Sequence, residues 1–443
     1  MSCDYKLSEI INIIGGGTPK RSIDDYWGGD IPWLSVADFN SDDRYVEFAK
    51  ESITALGLEK SSTKLLQPGM LIISARGTVG CLAQLKSSMA FNQSCYGLDA
   101  KQDIVINDYL YYFVKQKVAE LQQKGHGAVF NTITKETFEQ IDVTIPSKAI
   151  QIKVADILGC IDNKIANNTA MNQTLEKIAQ RIFKSWFIDF DPVKTNKEGV
   201  AFDGLSPEIQ ALFPSEFEES ELGMIPKGWK IEEFGNICHF RNGYAFKSKE
   251  LTENPEGTTH KVFKMGNILK GGGFKYSGSK DFFDANANEK VLKHLALKGD
   301  LLMCMTDMKA NVALLGHTAL MPVSNEFLIN QRVGHIRASK DLCSYFLYLL
   351  TNSSDFIHDL RSRANSGVQV NLSTSAIKET LFVRPETSVH DAFYKTVEPL
   401  FEKFLVNSEM NQCLIRLRER LIPRLISGQL TVGEAQKELA EAI

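Results

Sequence analysis

The chain has 443 residues and a formal net charge of −4, and 43% of its residues are hydrophobic and 23% are charged. This composition is typical of globular proteins rather than disordered or fibrous ones. Its length predicts two or three domains, and we expect a cytoplasmic protein because it has no apolar run of 18 residues and no signal-peptide pattern. The eight cysteines form neither CxxC pairs nor clusters with histidine, which argues against a disulfide scaffold or a structural metal site.

Residues 1–148 are predicted to form a first globular domain that mixes strands and helices. The segments 31–36 (IPWLSV), 70–75 (MLIISA) and 141–146 (IDVTIP) have the length and composition of strands, and 107–123 has the pattern of a helix. The glycine cluster at 15–17 indicates a loop.

A long helix is predicted next, over residues 149–190. From Val154 to Trp186 the core positions advance in steps of four and three for more than four heptads, which is typical of a coiled-coil seam. An amphipathic helix packed on its own domain is the alternative, although such helices rarely keep a 3.5-residue period for so long. The principal seam positions are Leu158, Ile161, Ile165, Asn168, Asn172, Leu175 and Ile182.

The second half of the chain follows the same plan. We expect a linker at 191–224, a second globular domain at 225–386, a second spacer helix at 387–428 and a tail at 429–443. Pro399 and Pro423 predict a kink or an interruption in that helix, since an interior proline costs about 3 kcal/mol. Its principal seam positions are Leu400, Phe404, Asn407, Asn411, Leu414 and Leu421.

An internal repeat connects the two halves. MNQTLEKIAQRIFKSWF from Met171 matches MNQCLIRLRERLIPRLI from Met410, an offset of 239 residues, and FNQS (91–94) and YLYYF (109–113) match INQR (329–332) and YFLYL (345–349). The seam asparagines also recur, and a buried amide fixes helix register because a slipped pairing leaves it without a partner. The repeat predicts an α+β protein in which two similar globular domains are separated and joined by two long antiparallel coiled-coil helices, with internal pseudo-twofold symmetry.

The charge differs between the two predicted domains. Residues 225–384 carry 21 Lys and Arg against 15 Asp and Glu, whereas residues 1–146 carry 14 against 18. The second domain is therefore easier to place on a phosphate backbone, and the first would need its basic residues gathered on one face.

Short distinctive motifs lie along the whole chain. In chain order they are GGGTP (15–19), YWGGDIPWLSVAD (26–38), IPSKAIQIKVADILGCID (145–162), IFKSWFIDFDPV (182–193), SELGMIPKGW (220–229), GYAFKS (243–248) and LIPRLISGQLTV (421–432). Together these motifs resemble the specificity subunits of type I restriction-modification systems, and the stretch FKSWFIDFDP, from Phe183, is the most specific of them. The spacer-helix start at 145–162 matches less well in the second half, where VRPETSVHDAFYKTV (383–397) lacks the glutamine found at Gln151.

The resemblance implies two target-recognition domains that each recognise one half of a bipartite site in double-stranded DNA. It also implies that two methyltransferase subunits dock on the helices, that restriction subunits join through the complex, and that S-adenosylmethionine, ATP and Mg²⁺ are bound by those partners and not by this chain. A spacer helix of about 38 residues would span about 57 Å. That length limits the half-site centres to a separation of roughly 17 bp.

Enzyme motifs are missing from the sequence, which predicts a non-catalytic subunit. No GxxxxGK[ST] phosphate loop, GxSxG or HExxH segment occurs. Two alternatives stay open: a coiled-coil adaptor whose duplicated domains bind protein, and an enzyme whose site has no recognisable motif. Salt-sensitive DNA binding would separate the first from a DNA-binding subunit, and turnover by the isolated chain would reveal the second.

Candidate DNA-binding residues lie in predicted loops of both domains. Arg76 and Thr78 lie in a turn from which an arginine could contact a guanine edge or a phosphate, and Lys20 and Arg21 follow a glycine-rich loop. For each, a solvated surface side chain is the alternative. Asn92-Gln93 and Asn330-Gln331 could contact adenine, but their recurrence favours a structural turn. In the second domain the candidates for contacts with the DNA backbone are Arg241, Lys247, Lys249, Lys264 and Arg332.

Overall fold

A computed structural model of the protein describes residues 3–41, 43–124, 132–308, 312–339, 342–366 and 369–442. The chain divides into two compact units. The first unit contains residues 1–168 and 413–443, and the second contains residues 169–412. None of the described helices is long and apolar enough to cross a membrane.

The first half of the chain alternates short strands with helices and ends in a long helix. The strands are β1 (Cys3–Lys6), β2 (Ile11–Gly15), β3 (Trp27–Leu34), β4 (Tyr45–Val46), β5 (Glu51–Ile53), β6 (Leu65–Leu66), β7 (Leu71–Ser74), β8 (Leu82–Leu85), β9 (Met89–Phe91), β10 (Cys95–Ala100) and β11 (Asp142–Ile145). The helices are α1 (Leu7–Ile10), α2 (Ala55–Glu59), α3 (Asn107–Lys124), α4 (Lys135–Glu139) and α5 (Lys148–Phe187).

The second half repeats this order after a connecting segment. Its strands are β12 (Phe217–Ser220), β13 (Gly223–Pro226), β14 (Lys230–Glu233), β15 (Cys238–Asn242), β16 (His260–Phe263), β17 (Phe282–Phe283), β18 (Leu301–Cys304), β19 (Thr306–Met308), β20 (Thr318–Leu320), β21 (Phe327–Ile329), β22 (Val333–Ala338), β23 (Asn365–Ser366), β24 (Gln369–Asn371) and β25 (Leu381–Arg384). Its helices are α6 (Asp191–Glu198), α7 (Pro207–Gln210), α8 (Ser344–Thr351), α9 (Ser354–Ser362), α10 (Thr374–Lys378), α11 (Thr387–Ile426) and α12 (Val432–Ala442).

In the first unit, two sheets enclose an apolar core. The larger has the strand order β2-β10-β7-β8-β4 and the smaller the order β5-β3-β9-β6, while β1 and β11 pair separately. Leu34, Ile72 and Phe91 are fully buried between them. The predicted strands at 31–36, 70–75 and 141–146 and the predicted helix at 107–123 are confirmed as β3, β7, β11 and α3.

In the second unit, the main sheet has the same order and the same strand register. Its strands β15-β22-β18-β20 correspond to β2-β10-β7-β8. Ile11 lies opposite Ala100 in the first unit, and Cys238 lies opposite Ala338 in the second. Leu71 lies opposite Leu98, and Leu301 lies opposite Ile336. Matching register residue by residue is what a duplicated domain produces, because a slip of one residue would turn every side chain to the other face.

A parallel strand pair recurs as well. Strand β3 pairs with β9 in the first unit as β16 pairs with β21 in the second. Each first strand runs into a short 3₁₀ turn, closed when the backbone N–H of Ser35 donates to Asp38 and that of Lys264 donates to Asn267. The duplication thus extends to turns whose residues differ.

One glycine in each unit is required by a close approach of two backbone segments. A Cβ atom on Gly16 would lie 2.1 Å from the carbonyl oxygen of Asn92, and one on Gly243 would lie 2.3 Å from that of Asn330. Both distances are far inside van der Waals contact, so any larger residue would push the strands apart. These glycines occupy corresponding places, just after β2 and β15.

The two long helices, α5 and α11, each have 40 residues. Helix α11 continues through Pro399 and Pro423, so the predicted interruption is wrong. Val397 and Phe401 are buried on either side of Pro399, and Pro423 lies in the last turn. The burial of this apolar face offsets the hydrogen bond that each proline ring removes.

Both long helices begin with a buried polar side chain that binds the preceding domain. The amide oxygen of Gln151 accepts from the backbone N–H of Ile106 at 3.1 Å, just before α3. At the corresponding place in α11, Nε2 of His390 accepts from the N–H of Cys343 at 3.1 Å, just before α8. The glutamine missing from the second half is therefore replaced by a histidine that accepts an equivalent hydrogen bond.

Candidate nucleic-acid interface

Lys20 and Arg21 are exposed in the loop between β2 and β3, but Arg21 already forms an ion pair with Glu51. Its guanidinium makes two hydrogen bonds to the carboxylate of Glu51, the second at 2.9 Å, and lies 3.8 Å from the ring centre of Trp27. The hydrogen bonds that Arg21 donates to Glu51 raise the pKa of Arg21, and the two charges cancel locally. Arg21 would have to leave Glu51 before it could bind a phosphate.

Arg76 and Thr78 are exposed in the turn that joins β7 to β8. Gly77 and Gly80 adopt positive φ angles of 76° and 87°, which the sharp turn requires. The carbonyl of Thr78 accepts a hydrogen bond from the hydroxyl of Ser74, which ties the turn to the end of β7. The Arg76 side chain therefore projects from a well-fixed backbone.

The recurring Asn-Gln pairs form structural turns. The side-chain oxygen of Asn92 accepts from the N–H of Ser94 at 3.0 Å, and that of Asn330 accepts from the N–H of Arg332 at 3.2 Å. Each asparagine thus closes a turn two residues ahead. The structural interpretation of these asparagines is confirmed.

The basic candidates of the second unit differ in whether they already form an ion pair within the protein. Lys264 pairs with Asp281 at 2.6 Å and is partly buried. Lys247 lies 4.0 Å from Glu250, and Lys249 and Arg332 are exposed. An exposed ion pair such as Lys247–Glu250 contributes little to stability, so its lysine remains available to an anionic partner.

Arg241 belongs to a polar cluster that pattern analysis of the sequence missed. Its Nε–H donates to Nδ1 of His335 at 2.9 Å, and Nε2 of His335 lies 2.7 Å from Asp300. Arg337 makes two hydrogen bonds of 2.7 Å to the same carboxylate. A signal was present: HFR (239–241) and HIR (335–337) place histidine and arginine on one face of adjacent strands.

The charges in this cluster follow from its hydrogen bonds. An arginine Nε always carries a proton, so Nδ1 of His335 accepts and the imidazole proton lies on Nε2, facing Asp300. Burial would raise the pKa of Asp300, but hydrogen bonds from Arg337 and His335 hold it at about 2. Asp300 is therefore ionised and Arg337 balances its charge.

The predicted seam positions lie mainly on buried or half-buried faces of α5 and α11. In the second unit, the side-chain oxygen of Asn172 accepts from Nδ2 of Asn407 at 2.9 Å, and Asn411 donates to Thr169 at 3.2 Å. The buried positions are Leu158, Ile161, Asn168, Asn172, Asn407, Asn411, Leu414 and Leu421. The half-buried positions are Ile165, Leu175, Ile182, Leu400 and Phe404.

A second polar network lies in the first unit and was also missed. Asp162 of α5 pairs with Arg418 of α11 at 2.5 Å, and both side chains are almost fully buried. Tyr112 donates to Asp162 and accepts from Arg44, which also contacts Gln84. Within the described residues, no group of His, Cys, Asp and Glu side chains could hold a metal ion.

Comparison with known proteins identifies the family. The family model for the type I restriction modification DNA specificity domain matches the chain twice, at residues 3–177 and 226–400. Together the two matches cover well over half of the chain. The chain belongs to this family.

Relatives in this specificity family match along nearly the whole chain. The type I restriction enzyme MjaIX specificity subunit of Methanocaldococcus jannaschii is 28% identical, over 97% of this chain and 93% of the relative. The HindI specificity subunit of Haemophilus influenzae is 26% identical, over 75% of this chain and 79% of the relative. The crystal structure of a type I S subunit from M. genitalium has a similar fold, with a TM-score of 0.51, 13% identity and 96% of each chain covered.

Proposed function

We propose that this specificity subunit recognises a bipartite target in double-stranded DNA, with one recognition domain for each half-site. The observation that carries the proposal is duplication with divergence. Strands β2-β10-β7-β8 and β15-β22-β18-β20 share one register, while Ile14 and Gly97 stand where the second domain has Arg241 and His335. A common scaffold with different polar groups is suited to two different half-sites.

We further propose that α5 and α11 pair as an antiparallel coiled coil. In the second unit, Thr169 contacts Asn411 and Asn172 contacts Asn407 and Phe404, so the contacts run in opposite directions along the two helices. Buried asparagines fix such a pairing in one register. The proposed boundaries remain 1–148 and 225–386 for the recognition domains and 149–190 and 387–428 for the spacer helices.

The remaining chemistry is assigned to partners. Two methyltransferase subunits would dock on the spacer helices, supply S-adenosylmethionine and take up the target adenine after it flips out of the duplex. Restriction subunits, with ATP and Mg²⁺, would join through that complex. This chain then contributes recognition and assembly but no catalytic group.

Recognition is divided between base contacts and backbone contacts. Arg76 and Thr78, on the fixed turn after β7, are proposed to contact base edges or phosphate in the first half-site. Lys247, Lys249, Lys264 and Arg332 are proposed as backbone contacts of the second domain. Lys20 and Arg21 remain candidates, Arg21 only after release from Glu51.

The salt dependence of binding tests the proposal against a protein-binding adaptor. The full chain would be titrated against a labelled DNA duplex at several salt concentrations, with fluorescence anisotropy as the readout. Neutralising phosphates releases counterions, so we expect the logarithm of the affinity to fall by about 0.9 per contact for each unit of log salt. Weak binding that is insensitive to salt would contradict DNA recognition and favour the adaptor.

A further inference from the structure

A cavity of about 250 Å³ opens on the main sheet of the second recognition domain. Its lining contains two histidine-arginine pairs from adjacent strands and one phenylalanine. His239 lies opposite Arg337 in the register of β15 and β22, and Arg241 lies opposite His335. The lining residues are His239, Phe240, Arg241, His335 and Arg337.

The two arginines keep donors that the cluster does not use. Arg241 uses Nε for His335, which leaves Nη1 and Nη2, and Arg337 uses Nε and Nη2 for Asp300, which leaves Nη1. Asp300 pairs with Arg337, and Nδ1 of His335 accepts the hydrogen bond from Arg241. The charge of Arg241 is therefore unbalanced, and no carboxylate within the described parts of the chain forms an ion pair with it.

We propose that this cavity binds a phosphate group, and, resting on the proposed function, that the group is a backbone phosphate of the half-site recognised by the second domain. Guanidinium donors arranged as a fork match the oxygens of a phosphate. Asp300 and His335 support this arrangement, because their hydrogen bonds hold Arg337 and Arg241 in place.

Electrostatics support an anionic occupant. Burial and the neighbouring Arg337 lower the pKa of Arg241, so its surroundings disfavour the charge that it carries. His294 lies close enough to Arg241 for its pKa to be lowered, first by burial and then by that arginine. A bound phosphate would relieve the repulsion among these groups.

The first recognition domain cannot form the same site. Asn12, Ile14, Gly97 and Asp99 occupy the register positions of His239, Arg241, His335 and Arg337. A Cβ atom on Gly97 would lie 2.4 Å from Leu66, so that side chain fills the space a histidine would need. Register places Ala296 in the position of Leu66 in the second domain, which leaves room for His335.

Inorganic phosphate is the first probe, added to the full chain at constant ionic strength and followed by calorimetry. We expect Arg241→Gln to weaken phosphate binding by about tenfold or more, because a charged hydrogen-bond donor is lost. Arg241→Lys should recover part of the loss. The matched control Arg363→Gln, which removes an arginine of the same unit paired with Asp359, should bind like the wild type.

A labelled DNA duplex is the second probe, titrated at 50 and 200 mM salt. Loss of one phosphate contact reduces the slope of log affinity against log salt by about 0.9. Raising the salt from 50 to 200 mM should therefore weaken DNA binding by the wild type about 3.5-fold more than binding by Arg241→Gln. The effect should be the same for duplexes of different sequence, and Arg241→Lys should restore the slope. A circular-dichroism spectrum shows whether each variant is folded.

The two probes separate the possible outcomes. Equal phosphate binding by the wild type and Arg241→Gln, or none by the wild type, would overturn the phosphate site. Phosphate binding that depends on Arg241 with an unchanged salt slope would overturn the assignment to DNA and favour a small phosphate-bearing ligand. If the wild type binds phosphate but no duplex, the proposed function fails while the phosphate site stands.

Discussion

Tyr112 of α3 and Tyr348 of α8 occupy matching places in the two halves, and both donate a hydrogen bond to a carboxylate of α5. Tyr112 donates to Asp162, which also pairs with Arg418. Tyr348 donates to Glu176, for which no cationic partner is present in the described residues, and its ring packs against Phe401 with centroids 5.9 Å apart. The halves therefore share a backbone but differ in how they bury charge.

The offset of 239 residues shows which residues replace the buried ion pair in the second half. Phe401 stands where the first half has Asp162, and Ala179 stands where it has Arg418. An aromatic contact contributes through buried area, whereas a buried ion pair must first offset the desolvation of both charges. The comparison indicates that the aromatic half is held mainly by packing and that the charged half gains specificity of pairing.

The largest expected effect is the loss of Asp162. Asp162→Ala should lower the free energy of unfolding by about 3–5 kcal/mol, because Arg418 would be left buried without its partner. Urea denaturation of the full chain measures it. Asp156→Ala on the exposed face of α5 is the matched control and should change stability by less than about 0.5 kcal/mol; a loss of similar size there would show a general helix effect.

The double variant Asp162→Phe with Arg418→Ala transfers the residues of the second half into the first. Replacing a buried ion pair by apolar residues is often neutral or stabilising, so most of the loss caused by Asp162→Ala should be recovered. A double variant as unstable as Asp162→Ala would mean that Tyr112 and Arg44 depend on the carboxylate as much as Arg418 does.

The asparagine contact comes next. Asn172→Leu should cost about 1–3 kcal/mol, because the buried Nδ2 of Asn407 loses its acceptor and the hydroxyl of Ser408 loses a donor. Asn172→Leu with Asn407→Leu should regain stability but lose the unique register. Denaturation and sedimentation of both variants would show this, and a double variant that stays monomeric with wild-type structure would contradict the register role.

Glu176 gives a pH-dependent test of the second half. Burial raises its pKa, although the hydrogen bond from Tyr348 opposes the shift. A carboxyl group whose pKa is raised by folding stabilises the protein fully below the unfolded value of about 4.5, and this stability is lost as pH rises through the folded value. Glu176→Gln should therefore be more stable than the wild type at pH 7 and lose this advantage near pH 4. If the variant and the wild type are equally stable at both pH values, the ionised Glu176 carboxylate does not destabilise the fold.

The smallest effect is expected at the start of α11. His390→Gln introduces the residue of the first half and should change stability at pH 7 by less than about 1 kcal/mol, since the acceptor for Cys343 is kept. Burial lowers the pKa of His390, so wild-type stability is lost as pH falls below about 6.5 and through the folded value. Denaturation at pH 5 and 7 should show the glutamine variant gaining at the lower pH, and His390→Ala gives the cost of removing the acceptor.

Periodicity and repetition made much of the fold predictable. The strands around Trp33, Ile72 and Val143 alternate or bury apolar residues, and the heptads from Val154 onward indicated a long helix. The offset of 239 residues then predicted the second helix. These signals are visible because apolar side chains must follow the period of their element to reach a core.

Side-chain partnerships were far less predictable. Asp300 lies 35 residues from His335, and only the strand register brings the two together. The continuity of α11 through Pro399 depends on packing around it rather than on local propensity. The role of His390 was hidden because glutamine and histidine look unlike in sequence, although both can accept one hydrogen bond.

In the proposed function, each recognition domain contacts one half of a divided DNA target. The most direct test is a map of methylated bases across the genome of the source cell, with and without this gene. We predict that deletion removes one motif made of two short specific parts separated by a gap of fixed length, and that restoring the gene restores it. An unchanged map, or the loss of a single continuous motif, would contradict recognition by two domains.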